Sequence, residues 1–441
     1  MQKYIKFLVV FAGFIAHVSV NAQELLTPEV AIEEVLERNL GIKIARNTET
    51  IASNNASILN SGYLPTVTGL AGGSIERQNT EGTLADGNTR AADGAETRRY
   101  NASINVNYTL FDGLGRMYEY RALKERAGLS ELETRETIET TILQLFSVYY
   151  EVARLEENVT NLQKALSISK DRLKRAEYLR EYGQNTGLDL LNARVDVNTD
   201  SINLLNSNQE LKNTRRDLNL ILNRELAMEF SVDTTVTFVP DLKMQELYNN
   251  AKENNINMLQ LKKNLEINML AIRSGYSNFL PTVGLTGSYG WNESNNNSPL
   301  AFLIQNTSTG FTGGINLTWN LFDGGSTVNT IRNAKLAYEN MELQEAQTEL
   351  QVERDIRNAW ETYQNALFVF RAQEENVAVN KDNFNRTEER YKLGQATSLE
   401  FRQAQINFLN SLISRNQAKY TAKLSELQLL QVSGQLLNTN F

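Results

Sequence analysis

Leu110-Phe111-Asp112-Gly113 returns as Leu321-Phe322-Asp323-Gly324, an offset of 211 residues (113 to 324). Gly183-Gln184-Asn185-Thr186-Gly187-Leu188-Asp189 returns as Gly394-Gln395-Ala396-Thr397-Ser398-Leu399-Glu400, again offset by 211 (183 to 394). Equal spacing of two motifs in both halves means one architectural unit used twice. The period lies far outside the roughly 20–50 residues of solenoid repeats.

Upstream of the first motif the chain alternates. Ala102, Ile104, Val106, Tyr108 and Leu110 fall on one face, and Asn101, Ser103, Asn105, Asn107 and Thr109 on the other. In the second copy Ile315, Leu317, Trp319 and Leu321 oppose Asn316, Thr318 and Asn320. Such alternation fits a membrane barrel strand, apolar toward lipid and polar toward a lumen; a soluble sandwich with one wet face alternates equally well. Four strands per chain are too few to close a barrel, and an open sheet edge cannot face lipid. Either several chains share one barrel or the sheet is not in a membrane. Leu64-Pro65 and Leu280-Pro281 open the strand regions at an offset of 216 (64 to 280), so a small insertion or deletion separates the copies there. The loops expected to carry it are 78–98 and 292–309, rich in Gly, Asn, Ser and Thr.

Downstream, 116–182 and 328–393 read as very long helices. Ile356, Trp360, Tyr363, Leu367, Phe370, Val377, Phe384 and Tyr391 keep heptad spacing, and Leu145, Tyr149, Val152, Val159, Leu166 and Leu173 hold the equivalent register. Sustained heptads predict coiled-coil packing. Gly183 and Gly394 suit left-handed helix ends. Thr186 with Asp189, and Thr397 with Glu400, have the spacing of a capping box for the next helix. Each half therefore predicts a long helical hairpin with a tight tip. Residues 27–63 also read as helical, opened by Thr27-Pro28-Glu29.

Composition narrows the chemistry. Residues 1–22 read as a cleavable signal peptide: Lys3 and Lys6, an apolar run over 7–16, and Val20-Asn21-Ala22 before Gln23. No later segment is apolar enough for a transmembrane helix. The single histidine, His17, lies in that leader, and there is no cysteine. Disulfides, thiolate chemistry, a Ser-His-Asp triad and ordinary zinc sites are excluded from the mature chain. Without Lys3 and Lys6 the mature chain has 42 basic residues against 52 acidic, a net charge of −10, which argues against nucleic acid as a partner. No enzyme activity and no cofactor is expected.

In the order and spacing of these motifs the chain strongly resembles the TolC-like outer-membrane efflux proteins. The resemblance implies a mainly α protomer with a small membrane β region, duplicated, of long coiled-coil hairpins and four strands. Three such protomers would form a 12-stranded barrel and an α-helical tunnel reaching into the periplasm of a Gram-negative cell. It implies a first repeat over 23–226 (strands about 66–111, hairpin about 116–226, tip near 183–186), a linker over 227–240, and a second repeat over 241–441 (strands about 282–322, hairpin about 327–437, tip near 394–397). It also implies a periplasmic adaptor, an inner-membrane transporter and outer-membrane lipid as partners. Gly183, Thr186, Gly394 and Thr397 would meet the adaptor; Asp189, Glu400 and Tyr391 would form the constricted entrance. Gln403 stands where some members carry a second acid, and Ala396 where some carry an arginine. Arg180, opposite Tyr391 in the repeat, is a candidate substitute partner for the carboxylates. The expectation is a passive efflux or secretion conduit. The alternative is a secreted coiled-coil structural or adhesin-like protein.

Overall fold

The computed structural model describes residues 24–83, 85–183, 186–298 and 301–439; the expected signal peptide lies outside the described residues. In chain order the elements are β1 (Glu24–Leu26), α1 (Pro28–Arg38), α2 (Leu40–Asn55), β2 (Thr66–Thr83), β3 (Thr89–Phe111), α3 (Gly115–Glu181) and α4 (Gly187–Ile221). They continue as β4 (Phe230–Val232), α5 (Met244–Asn254), α6 (Ile256–Ser277), β5 (Thr282–Asn296), β6 (Gln305–Thr318), α7 (Ser326–Lys392) and α8 (Ser398–Val432). The long helices α3 and α7 are both 67 residues, and α4 and α8 both 35. At about 1.5 Å per residue each long helix spans roughly 100 Å. Among the described residues no helix is long and apolar enough to cross a membrane.

The Leu-Phe-Asp-Gly motif turns strand into helix. Asp112 Oδ2 accepts the Arg116 backbone N–H at 2.9 Å, and Asp323 Oδ2 accepts that of Thr327 at 2.8 Å. Each carboxylate thus satisfies a donor at the start of a long helix, where the helix dipole also favours negative charge. Gly113 and Gly324 follow with φ of 68° and 71°, a left-handed conformation that glycine adopts without Cβ strain.

The helical stretch expected over 27–63 is broken. Asn39 ends α1 and caps α2, its Oδ1 accepting the Ile42 N–H at 3.1 Å. Asn255 does the same between α5 and α6, accepting from Asn257 and Met258. Helical periodicity continues across both breaks, so composition alone hides them; the asparagine side chain replaces the interrupted ladder. The segment expected as a linker also carries structure: β4 pairs in parallel with β1.

These short strands lie in the main core, where Leu26, Val35, Leu145, Phe146, Tyr149, Leu218, Phe230 and Leu427 are buried together. Tyr149 donates its hydroxyl to Leu26 O at 2.7 Å and accepts the Asp233 N–H at 3.1 Å. Burial pushes its phenol well above the usual tyrosine range. Tyr149→Phe is expected to cost about 1 kcal/mol, the low end for unpairing buried groups, because Asp233 N–H still reaches Leu26 O at 3.2 Å. A lowered urea midpoint with unchanged slope checks it.

The second sheet runs β2-β3-β5-β6, antiparallel throughout, with β2 and β6 at its edges. The central pair joins the two halves, with Ile104 opposite Tyr289, Val106 opposite Gly287 and Tyr108 opposite Leu285. One face carries Val67, Ile104, Leu285, Tyr289, Phe311, Ile315 and Leu317, all exposed in the single chain. On the other face Ser288 donates to Asn105 Oδ1 at 2.7 Å.

Candidate functional site

The two ends of the molecule carry the candidate machinery: the helical tips and the sheet. At the second tip Thr397 forms a complete capping box. Its hydroxyl accepts the Glu400 N–H, and Glu400 Oε2 accepts the Thr397 N–H at 2.7 Å. The Thr397 hydroxyl also donates to Glu400 Oε2 at 2.9 Å, and the two donors hold the Glu400 carboxyl below the usual range, the backbone N–H contributing most and the hydroxyl next. The cap therefore persists above the unfolded carboxyl pKa and is lost as pH falls through the depressed folded value. The first tip is looser. Thr186 accepts the Asp189 N–H at 3.3 Å, but among the described residues Asp189 closes onto the Thr186 hydroxyl (2.8 Å) rather than its backbone. Gly183 and Gly394 have φ of 69° and 74°.

Tyr391 lies within the second hairpin, stacked on Phe401 with ring centroids 4.9 Å apart. Arg175 of α3 covers the ring at 5.0 Å and donates to Lys392 O at 3.0 Å. Gln403 is exposed and bonds only its helical neighbour Asn407 among the described residues. Arg180 is also exposed, and among the described residues of one chain it pairs with no carboxylate. The single chain therefore brings Tyr391 to an arginine but does not bring Arg180, Asp189 and Glu400 into one cluster.

Behind the tips lies a network that sequence reasoning missed. Arg402 of α8 donates Nη1 and Nη2 to the two oxygens of Asp200 on α4, both at 2.8 Å. Ser169 of α3 donates to Asp200 at 2.5 Å, and Gln405 of α8 donates to Ala165 O at 2.8 Å. Arg172 of α3 pairs with Asp196, which also lies 3.3 Å from Arg402 Nε. Burial pulls Arg172 below the usual arginine range; Asp196 opposes this and Arg402 adds to it. Spacing supplied part of the signal, since Ser169/Arg172 and Asp196/Asp200 each share a helix face. Charges on heptad helices ordinarily read as solvated, and nothing local indicates that α8 covers these.

With this geometry in view, the similarities to known proteins are informative. The sequence model of the family described as outer membrane efflux protein matches residues 31–224 and 247–435. The chain belongs to that family. Among relatives, the outer membrane efflux protein BepC of Brucella suis biovar 1 is 22% identical over 425 residues, covering 93% of this chain and 88% of BepC. The outer membrane protein TolC of Vibrio cholerae is 24% identical over 323 residues, covering 71% and 72%. The fold is similar to that of the Campylobacter jejuni CmeC outer membrane channel, with TM-score 0.77, 18% identity and coverage of 93% and 86%. It is also similar to VceC of Vibrio cholerae, with TM-score 0.71, 16% identity and coverage of 92% and 96%. Membership in the outer membrane efflux family sets aside the adhesin-like alternative. It also places the protein in the outer membrane of a Gram-negative cell, extending into the periplasm.

Proposed function

We propose that three copies of this efflux protein join edge to edge into one continuous conduit, a 12-stranded barrel above a helical tunnel. It would serve a periplasmic adaptor and an inner-membrane transporter that supplies the energy. The observation that carries this reading is the sheet: two unpaired edges, β2 and β6, under an exposed apolar face. Lipid cannot satisfy an open edge, so only pairing β6 of one copy with β2 of the next closes it. The helices agree. Leu336, Leu343 and Leu350 of α7, seven residues apart, are 58–70% exposed, as are Leu191, Val195, Ile202 and Leu205 along α4 to a similar degree. Exposed heptad stripes of this kind suit packing between copies.

The periplasmic tips form the gate in this reading. Gly183, Thr186, Gly394 and Thr397 sit at exposed turns beside Tyr182, Leu188, Leu393 and Leu399, whose side chains offer an adaptor an apolar landing. Asp189 and Glu400 ring the entrance when three copies meet, and Arg180 is free to face a neighbour's carboxylate. Opening requires the α7–α8 hairpin to move against α3–α4. The buried Arg402–Asp200 contact resists this motion, which gives the gate a closed state with its own free energy. The test uses a chain that lacks cysteine. Disulfide cross-linking of Asp189→Cys with Glu400→Cys between copies is expected to abolish export, with recovery on reduction; export that survives cross-linking refutes the gate. Conductance of the purified protein across a planar bilayer tests the conduit itself.

A further inference from the structure

Beyond its role as a conduit wall, the apolar face of the sheet carries two recesses in register. The lower is an apolar groove of about 730 Å³ bounded by Ile104, Val106, Leu285, Tyr289, Phe311 and Ile315. It exists because Gly287 and Gly313, paired on β5 and β6, put no side chain on the face between these residues. The upper is a polar recess of about 340 Å³, lined by Glu96, Arg98, Asn295, Asn297 and Gln305 among others. Arg98 and Ile104 are six residues apart on β3, hence on the same face and about 20 Å apart along the strand. Arg98 is twelve residues above Leu110. At a strand tilt of about 40° that is a height of roughly 30 Å, just above an apolar band of about 25 Å.

We propose that this face holds one amphiphile of the outer leaflet, a glycolipid bearing a phosphate, with its headgroup at Arg98 and Arg77 and an acyl chain in the groove. The charge arrangement favours phosphate. Arg98 Nε and Arg77 Nη2 both donate to Glu96, at 2.6 Å each, so two guanidinium groups share one carboxylate. The terminal nitrogens of Arg98 have no partner among the described residues. They present the planar fork that binds phosphate oxygens in pairs. Glu293, another acid on this face, is engaged by the amides of Asn295 (2.9 Å) and Gln305 (3.4 Å). Those amides and that of Asn297 suit sugar hydroxyls. Trp291, opposite Ala102 on the same face, lies between the two recesses, at the level where a headgroup gives way to hydrocarbon.

The full-length protein, extracted from its own outer membrane in mild detergent, is expected to carry phosphorylated glycolipid detectable by mass spectrometry. Replacing the pair (Arg77→Ser with Arg98→Ser) should lower its retention about tenfold, the effect of losing a charge-assisted hydrogen bond, with ordinary phospholipid unchanged. Gly287→Leu, which fills the groove, should lower it as well, whereas Gly310→Leu on the opposite face should not. Retention equal to wild type in the arginine variant, or phospholipid in place of glycolipid in the native protein, overturns the proposal. If the arginine variant fails to assemble, Trp291 fluorescence decides, measured in a chain carrying Trp319→Phe and Trp360→Phe so that Trp291 is its single tryptophan. A saturable change with glycolipid vesicles and none with phospholipid vesicles supports the site; identical responses refute it. Conductance measured in parallel reports on the conduit separately, so the two readings fail independently.

Discussion

Asp200→Asn is expected to destabilise the periplasmic third of the helical hairpins by about 3 kcal/mol, the low end of the cost of breaking a buried ion pair, because Arg402 loses the nearer of its two carboxylates. Asp200 is 3% exposed and takes both terminal nitrogens of Arg402, together with the Ser169 hydroxyl. The asparagine is nearly isosteric, so the loss is one of charge rather than volume. Arg402 would then keep only Asp196, 3.3 Å from its Nε and shared with Arg172, which burial already depresses. Because α3, α4 and α8 meet here, the loss should appear locally, as faster amide exchange over about 165–205 and the first turns of α8, with the main core unaffected. Replacing both partners by leucine should restore much of the protection, since a buried ion pair gains little over a packed apolar pair. If Asp200→Asn leaves exchange at the tip unchanged, the network does not hold the hairpins together. In the gating reading the same variant should raise basal conductance.

Gly113→Val should unfold the junction between sheet and helices within a single chain. A Cβ at this position would lie 2.6 Å from Ser277 O and 2.9 Å from Leu280 Cβ, at a φ of +68°. Left-handed strain and overpacking together amount to roughly 2–5 kcal/mol. Gly324, its counterpart 211 residues on, has the same φ within a few degrees, but nothing lies within 4 Å of a Cβ there. The difference has a simple origin. Gly113 packs against the end of α6 and the Leu280-Pro281 that opens β5, in its own chain. The equivalent neighbour of Gly324 is the Leu64-Pro65 that opens β2, and β2 is at the far edge of the sheet. Closure by three copies would bring a neighbour's Leu64 to Gly324. Gly324→Val is therefore expected to leave helix content by circular dichroism near wild type while abolishing the proposed trimer, measured by light scattering in detergent. Gly113→Val should lower both. An intact trimer in Gly324→Val would contradict edge-to-edge closure.

The long helices and tips were legible because their signals are local. Heptad spacing, a glycine at a helix end and Thr-x-x-acid each act over a few residues, and the two copies checked one another. Strand alternation was equally local. The breaks at Asn39 and Asn255 were not legible, because asparagine reads as an ordinary helix residue until its side chain is seen to replace the backbone ladder. The β1–β4 pair was hidden for a different reason: three-residue strands separated by some two hundred residues carry no periodicity. At the candidate gate, the capping roles of Thr397 and Glu400 followed from spacing. The burial of Arg172, Asp200 and Arg402 did not, because it depends on a helix more than 200 residues away.

By itself, the sequence determined that one unit was used twice, that each unit joins a strand hairpin to a helical hairpin of matched length, and that the chain has no cysteine and no histidine beyond residue 17. These properties rest on interactions between near neighbours in the chain. Tertiary structure alone decided which of two identical glycines is crowded, which charges leave water, and which strands remain edges. Those outcomes depend on what packs across a helix or beside a strand, and duplicated sequences in unlike surroundings meet different neighbours.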